Sequence, residues 1–328
     1  MFVTQKYDFM GYTEEQLRNF AASLKNTENQ QCKNAIGMVR SALNKYGFDG
    51  GSYDFTHLFE DGFNYSEKMT SGRIEIKILI QGSYANKTNV KQNSDVDISI
   101  IQTDRFRCDY PMGVTDEHYG FSTAQPMPEP FKDIVEKALR DTFGSDVEMS
   151  DKSIHVKGNS NRKDVDVVPC LQYRDYRHDT RCDPNNYVPG IIITSDSGTT
   201  IINYPEQHIE SGKGKNTNTH RYYKRMVRIF KKVNNIMQDH GIPATQNISS
   251  FDLESLLWNV PDGIYLINCP ENERYTRILR EIFRYLDTHN SEWKNYTEAN
   301  GIKPLFPNGQ KLPEMQIFYD QLKRSILG

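Results

Sequence analysis

Hydrophobic residues along the first half of the chain change from a helical to a strand-like spacing. Residues 13–45 contain no proline and repeat apolar side chains every three or four positions, which predicts amphipathic helix. Residues 74–80 and 95–101 instead alternate along the chain, which predicts two strands. The positions that carry these predictions are Leu17, Phe20, Leu24, Ala35, Val39, Leu43, Ile74, Ile76, Ile78, Ile80, Val96, Ile98 and Ile100.

The spacing of apolar residues changes again near residue 205. Before it, helical spacing at 131–143 is followed by strand-like segments at 153–157 and 163–168 and around Ile191 and Ile201. After it, long helical periods cover 222–238, 251–260, 275–289 and 312–327. We therefore predict an α+β protein with two parts. Residues 1–205 form a mixed-sheet core with a bracing N-terminal helix, and residues 206–328 form a helical domain.

Composition excludes several classes of protein. The 328 residues carry a formal net charge of -3, whereas a general binder of duplex DNA usually has a strongly basic domain. No apolar run approaches the roughly 20 residues that span a bilayer, and the first twelve residues lack the features of a signal peptide. The five cysteines are scattered without a C-x-x-C pair, which favours reduced thiols over a structural zinc site. We expect a cytoplasmic protein.

Two aspartates on the second predicted strand are candidate metal ligands. Asp95 and Asp97 are two positions apart, so on a strand their side chains share one face. Carboxylates this close repel each other, and hard oxygen ligands favour Mg²⁺ or Mn²⁺. A third carboxylate would come from residues 163–168, where Asp164 and Asp166 also share a face. Two metal ions held by three carboxylates are suited to phosphoryl or nucleotidyl transfer.

Gly82 and Ser83 follow the first of these strands directly. A glycine here allows the backbone to approach a phosphate closely, and the next turn offers N–H groups and the Ser83 hydroxyl to a triphosphate. Taken alone, Gly-Ser is an ordinary turn and Asp-x-Asp an ordinary solvated strand edge. Their order on successive strands, with a further aspartate strand downstream, makes a nucleotide site the better interpretation.

The helical half contains a basic segment. Residues 211–238 hold eight Lys or Arg and no acidic residue. Lys224, Arg228 and Lys231 would share one helix face, opposite a predicted buried stripe of Met226, Phe230, Val233 and Met237. Such a face would hold a polyphosphate, although a solvated basic face is the more ordinary interpretation for most of these residues.

The motifs together resemble those of a known enzyme family. The segments are Gly82-Ser83-Tyr84-Ala85-Asn86, Ser94-Asp95-Val96-Asp97, Asp166-Val167-Val168, Ile202-Asn203-Tyr204-Pro205, Tyr223-Lys224 to Phe230-Lys231, and Ser250-Phe251 with Glu254. They resemble the bacterial CD-NTases (cGAS/DncV-like nucleotidyltransferases) of anti-phage CBASS signalling, and most of all the clade E subgroup. The resemblance implies a two-lobed, polymerase-beta-like nucleotidyltransferase core with a C-terminal helical lobe.

The resemblance also implies roles for particular residues. Asp95, Asp97 and Asp166 would be the metal ligands, and Asp166 would assist deprotonation of the acceptor hydroxyl. Lys231 and Ser250 would contact the triphosphate, and Phe251 would stack on a base, although Ser249 or Ser250 is equally an ordinary helix N-cap and Phe251 an ordinary core residue. Asn203 would face a base and favour a pyrimidine, so that one substrate is UTP, unless it is a simple turn residue.

The implied reaction joins nucleoside triphosphates, ATP and UTP among them, between the two lobes with two Mg²⁺ or Mn²⁺ ions. Its product would be a cyclic di- or trinucleotide, of which the dinucleotide is favoured, that acts on a separate effector protein. His178 and Cys182 form no four-ligand set to match the zinc insert of animal cyclic GMP-AMP synthase, so no direct DNA requirement is expected. The alternatives are a linear oligonucleotide synthetase, an RNA-end nucleotidyltransferase, and a non-catalytic nucleotide-binding scaffold or sensor.

Overall fold

The chain divides into two compact units. A computed structural model describes residues 11–50, 57–58, 62–63, 66–90 and 95–328. Among these described residues, those within 24–86 and 93–209 form the sheet unit. Those within 1–23, 87–92 and 210–328 form the helical unit.

The predicted N-terminal helix is two helices. α1 (Glu14–Phe20) begins at a capping box in which Thr13 and Gln16 bond to each other's backbone N–H, and α2 (Asn26–Lys45) begins after residue 25. Leu17 of α1 lies in the core of the helical unit, whereas Ala35 and Val39 of α2 lie in the core of the sheet unit. The prediction of one continuous helix was wrong. Each of the two helices buries one face, so apolar residues recur every three or four positions on both sides of the break between them.

The main sheet is mixed, as predicted. The strands are β1 (Asp49–Gly50), β2 (His57–Leu58), β3 (Gly62–Phe63), β4 (Ser66–Ser71), β5 (Ile74–Gln81), β6 (Val96–Asp109), β7 (Val147–Met149), β8 (Ile154–Val156), β9 (Val165–Asp175), β10 (Val188–Thr194) and β11 (Thr200–Asn203). Their order is β1-β4-β5-β6-β9-β10-β11, with β8 on β9 and β7 on β8, while β2 and β3 pair separately. Within the described ranges, β6 and β9 form the single parallel pair.

The sheet has two different faces because side chains alternate along each strand. On one face, Ile78 of β5, Ile98 of β6 and Val167 of β9 pack in a core with residues of α2 and α4 (Phe131–Phe143), a helix predicted with these bounds. On the other face, Leu79, Ile101, Val168, Cys170, Ile191 and Ile193 form a smaller buried cluster. Asp97 and Asp166 directly precede Ile98 and Val167, which point into the large core, so the two aspartates point to this second face.

The helical unit contains the predicted C-terminal helices. The short α3 (Gly82–Asn86) precedes them in the sheet unit, and α5 (Pro205–Asn218), α6 (Tyr222–Asp239), α7 (Ser250–Trp258), α8 (Asp262–Tyr265), α9 (Arg274–Thr288) and α10 (Leu312–Leu327) follow. No helical pattern predicted α5, because Gly212 and Gly214 are poor helix formers and its apolar residues are few. The core of the unit includes the predicted stripe Met226, Phe230, Val233 and Met237.

The structure bears on the expectations about membrane spans and cysteines. In the part of the chain that is described, no helix is long and apolar enough to cross a membrane. All five cysteines are free thiols.

Candidate active site

Gly82 brings the end of β5 against the carboxylate of Asp97. Gln81, the last residue of β5, is paired with Asp97 on β6, and Gly82 then turns the chain with φ at +67°. A Cβ atom at this position would lie 1.9 Å from Asp97 Oδ2. Only glycine therefore permits both this backbone conformation and this approach. Ser83 follows as the second residue of α3 and is half-buried.

Two of the predicted carboxylates come from neighbouring strands. Asp97 on β6 is the direct register partner of Asp166 on β9. Asp95 lies immediately before β6 rather than within it, and it is only partly covered by the protein, less so than Asp97. The strand was predicted one residue too long at this end, and Ser94 of the family motif lies outside the described residues.

The charges near Asp95 show that these acids influence one another. Partial burial raises the pKa of Asp95, and the neighbouring carboxylates of Asp164 and Asp166 raise it further. His155 and Lys163 act in the opposite direction on the pKa of Asp95. A cation placed among these carboxylates would relieve the repulsion between them.

Asp164 and Asp166 have different partners. The Asp164 Oδ1 accepts a hydrogen bond of 2.8 Å from the backbone N–H of Gly158, whereas Asp166 Oδ1 lies 3.1 Å from His155 Nδ1. Asp164 is thus held by the turn that precedes β9, and Asp166 is the one that faces Asp97 in the strand register. This arrangement favours Asp166 over Asp164 as the third carboxylate.

The donor set fits a hard divalent cation. The side chains of Asp95, Asp97 and Asp166 offer only oxygen, which is the ligand type that Mg²⁺ and Mn²⁺ prefer. Within the described ranges, no group of three His, Cys, Asp or Glu side chains forms a ready metal site. Three features therefore support these residues as ligands of a divalent cation: the oxygen ligands, the register pairing of Asp97 with Asp166, and the raised pKa of Asp95.

The basic face of α6 is buried, which corrects its interpretation as solvated. Lys224, Arg228 and Lys231 are 1%, 7% and 4% exposed. The Arg228 guanidinium donates to the backbone carbonyls of Ala21 and Lys87, both at 2.6 Å. Charged groups can be buried in this way only when they find partners, and the sequence did not reveal those partners.

Lys231 belongs to a buried triad in the helical unit. Its Nζ lies 2.9 Å from Glu254 Oε2 and 3.0 Å from Thr88 Oγ1, and the Thr88 hydroxyl donates to the same Glu254 oxygen at 2.8 Å. A signal for this triad exists in the sequence, since Glu254 is an acidic residue among the apolar residues of α7. It could be recognised only after α7 was known to be buried.

Ser250 and Phe251 open α7 without capping it. Ser249 is the N-cap, because its hydroxyl accepts from Asp252 N at 3.1 Å while Asp252 Oδ2 accepts from Ser249 N at 2.8 Å. Ser250 is exposed and is not needed for the cap. Phe251 is half-buried and is not one of the fully buried residues of the core.

Asn203 is the last residue of β11 rather than a turn residue. It pairs with Ile191 of β10 and is half-buried. The next residue, Tyr204, donates its hydroxyl to Asp175 Oδ2 at 2.9 Å, which anchors the chain at this point. Asn203 thus lies in the sheet unit with Asp97 and Asp166, whereas Lys231, Ser250 and Phe251 lie in the helical unit.

Comparisons with known proteins agree with this architecture. The family model for the cGAS/DncV-like nucleotidyltransferase C-terminal helical domain matches residues 210–326. The chain is 39% identical to cyclic GMP-AMP synthase CdnE03 of Staphylococcus schleiferi over 92% of this chain and 93% of that protein.

Two solved structures are similar over nearly the whole length. The Rhodothermus marinus CdnE c-UMP-AMP synthase with Apcpp and Upnpp has a TM-score of 0.73, with 25% identity and 95% of each chain covered. The Elizabethkingia meningoseptica CdnE cyclic dinucleotide synthase with GTP and Apcpp has a TM-score of 0.69, with 33% identity, covering 95% of this chain and 97% of that one.

The mixed sheet, the helical unit and these similarities define the class of protein as a nucleotidyltransferase. The chain belongs to the bacterial cGAS/DncV-like nucleotidyltransferases, the CD-NTases. Within that family it is a member of clade E, the CdnE cyclic dinucleotide synthases.

Proposed function

We propose that this chain condenses two nucleoside triphosphates into a cyclic dinucleotide with the help of Mg²⁺ or Mn²⁺ bound by Asp95, Asp97 and Asp166. The observation that carries the proposal is the register pairing of Asp97 with Asp166 beside the Gly82 turn. Two bound ions would neutralise charge on the reacting α-phosphate and on the leaving pyrophosphate.

Each of two successive steps forms one phosphodiester. The acceptor hydroxyl oxygen bonds to the α-phosphorus of the donor, the bond from that phosphorus to pyrophosphate breaks, and the hydroxyl proton passes to the Asp166 carboxylate. The Gly82 backbone and the Ser83 hydroxyl contact the donor triphosphate. Two triphosphates thus give one cyclic dinucleotide and two pyrophosphates.

Three further residues carry substrate roles that the family resemblance implies. Ser250 donates its exposed hydroxyl to the triphosphate, and Phe251 stacks on a base. The Lys231 ammonium has three N–H donors, and among the described residues Thr88 and Glu254 occupy two of them, which leaves one for a phosphate oxygen.

Asn203 contributes to the choice of base, because a carboxamide offers both a donor and an acceptor to a Watson–Crick edge. The similar proteins include a cyclic GMP-AMP synthase and a c-UMP-AMP synthase, so their names allow either purine or pyrimidine. We propose that UTP is one substrate of this chain. Product analysis with Asn203→Ser tests this, and an unchanged preference among the four triphosphates contradicts it.

The family resemblance supports a role beyond the reaction. The product acts as a second messenger in anti-phage CBASS defence, is made in the cytoplasm, and is recognised by a separate effector protein. No direct activation by DNA is part of this proposal.

The central test is product formation from labelled triphosphates with Mg²⁺ or Mn²⁺. We expect a product that resists alkaline phosphatase and has the mass of a cyclic dinucleotide. Asp97→Asn should reduce the rate at least about a hundredfold, since it removes a metal ligand. Asp104→Asn is the matched control, because Asp104 lies later on the same strand and pairs with Arg105.

Other outcomes distinguish the alternatives. A phosphatase-sensitive product identifies a linear oligonucleotide synthetase, and extension of an added RNA identifies an RNA-end nucleotidyltransferase. Binding of triphosphates without any product identifies a scaffold or sensor. Equal rates for Asp97→Asn and the parent would remove Asp97 from the mechanism.

A further inference from the structure

His155 lies on the carboxylate face of the sheet, on the short strand β8. Its neighbours Ile154 and Val156 are fully buried in the large core of the sheet unit. Because side chains alternate along a strand, His155 points to the opposite face. Its register partner on β9 is Asp166, and its own side chain is 27% exposed.

The two imidazole nitrogens meet two different aspartates. Nδ1 lies 3.1 Å from Asp166 Oδ1, which is hydrogen-bonding distance, whereas Nε2 lies 3.6 Å from Asp164 Oδ1, which is too long for a direct hydrogen bond. Asp164 already accepts from the Gly158 backbone N–H. The imidazole therefore restrains Asp166 in particular.

We propose that His155 is a positioning residue for Asp166, donating its Nδ1 proton to Oδ1 and so orienting the second carboxylate oxygen for metal and acceptor hydroxyl. The inference rests on the proposed function, because the orientation of Asp166 matters only if Asp166 binds metal and accepts the proton of the acceptor hydroxyl. A carboxylate without such a bond rotates about its terminal torsion, and partners of this kind fix the ligands of metal sites. Nothing in the sequence marks His155, because only the register of β8 on β9 brings it to Asp166.

Three substitutions separate this role from simple packing. Asn places its amide N–H near the position of the imidazole Nδ1, Gln places it near that of Nε2, and Leu offers no donor. His155→Asn should therefore preserve the bond to Asp166, while His155→Gln and His155→Leu should lose it. Lys157→Met is the control, because it removes a nearby charge that pairs with Glu148 and leaves both aspartates untouched.

Mn²⁺ binding to each purified protein is measured by the electron paramagnetic resonance signal of free Mn²⁺, and kcat and KM are measured separately. We expect His155→Leu and His155→Gln to weaken Mn²⁺ binding and lower kcat by about ten- to a hundredfold, with the KM for triphosphate at saturating metal unchanged. His155→Asn and Lys157→Met should behave like the parent in both measurements.

Two results would overturn the inference. One is Mn²⁺ binding and turnover in His155→Leu equal to those of the parent, and the other is equal damage in His155→Asn and His155→Gln. The Asn and Gln comparison decides the question even when the Leu variant fails to fold. A parent that binds Mn²⁺ but makes no cyclic product contradicts the proposed function alone, because the metal titration does not depend on turnover.

Discussion

At the scale of single residues, Gly82 is a position where the candidate site requires glycine. The left-handed φ of +67° is unfavourable for any other residue by roughly 1–2 kcal/mol, and an added Cβ would also overlap Asp97 Oδ2. We predict that Gly82→Ala displaces Asp97 and reduces product formation at least about a hundredfold. Initial rates at saturating triphosphate and metal measure this effect.

Gly72 provides the control for that prediction. Its φ is +58°, but a Cβ added at this residue would have no neighbouring atom within 4 Å, so Gly72→Ala has the backbone strain without the collision. It should lower thermal stability slightly and leave the rate unchanged. If the two variants lost activity equally, backbone strain rather than contact with Asp97 would explain the loss.

The residues of the site differ in how far the sequence reveals them. Asp95 and Asp97 were proposed from their spacing, since carboxylates two positions apart share a strand face, whereas the choice of Asp166 over Asp164 came from the family resemblance. His155 and Gly158 could not be identified from the sequence, because their contacts depend on how β8 and the turn before β9 are placed against β9. Cross-strand register has no local signature in the chain.

At the scale of secondary-structure elements, the Lys231–Glu254 pair links α6 to α7. The side chains are 5% and 2% exposed, so each charge depends on the other. We predict that Glu254→Leu destabilises the helical unit by about 3–5 kcal/mol, and that Lys231→Met/Glu254→Leu is less destabilised than the sum of the single variants. Urea unfolding followed by tryptophan fluorescence is suited to this test, because Trp258 and Trp293 both lie in the helical unit.

An exposed ion pair in the same unit is the reference. Lys323 and Asp287 are 36% and 40% exposed, so Lys323→Met should change the free energy of unfolding by no more than about 1 kcal/mol. Simple additivity of the two Lys231–Glu254 variants would mean that the charges do not interact, contrary to the geometry.

The loop after β9 is organised around the carboxylate of Asp179. The Tyr119 hydroxyl and the Asn186 amide each donate to it at 2.7 Å, and these bonds lower the pKa of Asp179 to about 2 from an ordinary 3.8. A lowered folded pKa stabilises the protein above the unfolded pKa, and this contribution is lost as the pH falls towards 2. We predict that Asp179→Asn is less stable than the parent at pH 7 and that the difference shrinks by pH 3.

Urea unfolding followed by circular dichroism at both pH values measures that difference. Asp196→Asn is a suitable control in the same unit, because Asp196 is exposed and pairs with Lys132 at the surface. A parent-to-variant difference for Asp179→Asn that is constant between pH 7 and pH 3 would contradict the assignment of the lowered pKa to the folded state.

Elements were predicted well where one face is buried and poorly where that pattern is weak. The helix at 131–143 was predicted with its observed bounds because its apolar residues are closely and regularly spaced. The break at residues 21–25 was missed because the spacing on its two sides is alike, and α5 because glycines interrupt it. The burial of the α6 cations was missed because their partners come from distant parts of the chain.

At the scale of the whole molecule, the α+β class and the family that the motifs predicted were both confirmed. Composition served chiefly to exclude other classes of protein, such as general binders of duplex DNA. Composition says nothing about the choice of bases, and the similar proteins differ in the bases their names state, so the proposal of UTP depends on Asn203 alone.

Ligand binding provides a prediction for the entire chain. A ligand that binds only the folded protein stabilises it by about 2.7 kcal/mol at a hundred times its Kd. We predict that a non-hydrolysable ATP analogue with Mg²⁺ raises the midpoint of thermal unfolding, and that EDTA abolishes the rise. Scanning calorimetry measures it, and an equal rise in Asp97→Asn would show that binding does not need that carboxylate.

The parallel pairing of β6 with β9 has a consequence for biosynthesis. Once β6 has left the ribosome it can pair with β5 as an antiparallel neighbour, but its other edge has no partner until β9 has also been synthesised and released. An apolar, unpaired edge of this kind attracts other chains. During that interval the open edge of β6 is exposed to wrong pairing, and the same pairing with β9 that covers it brings Asp166 beside Asp97.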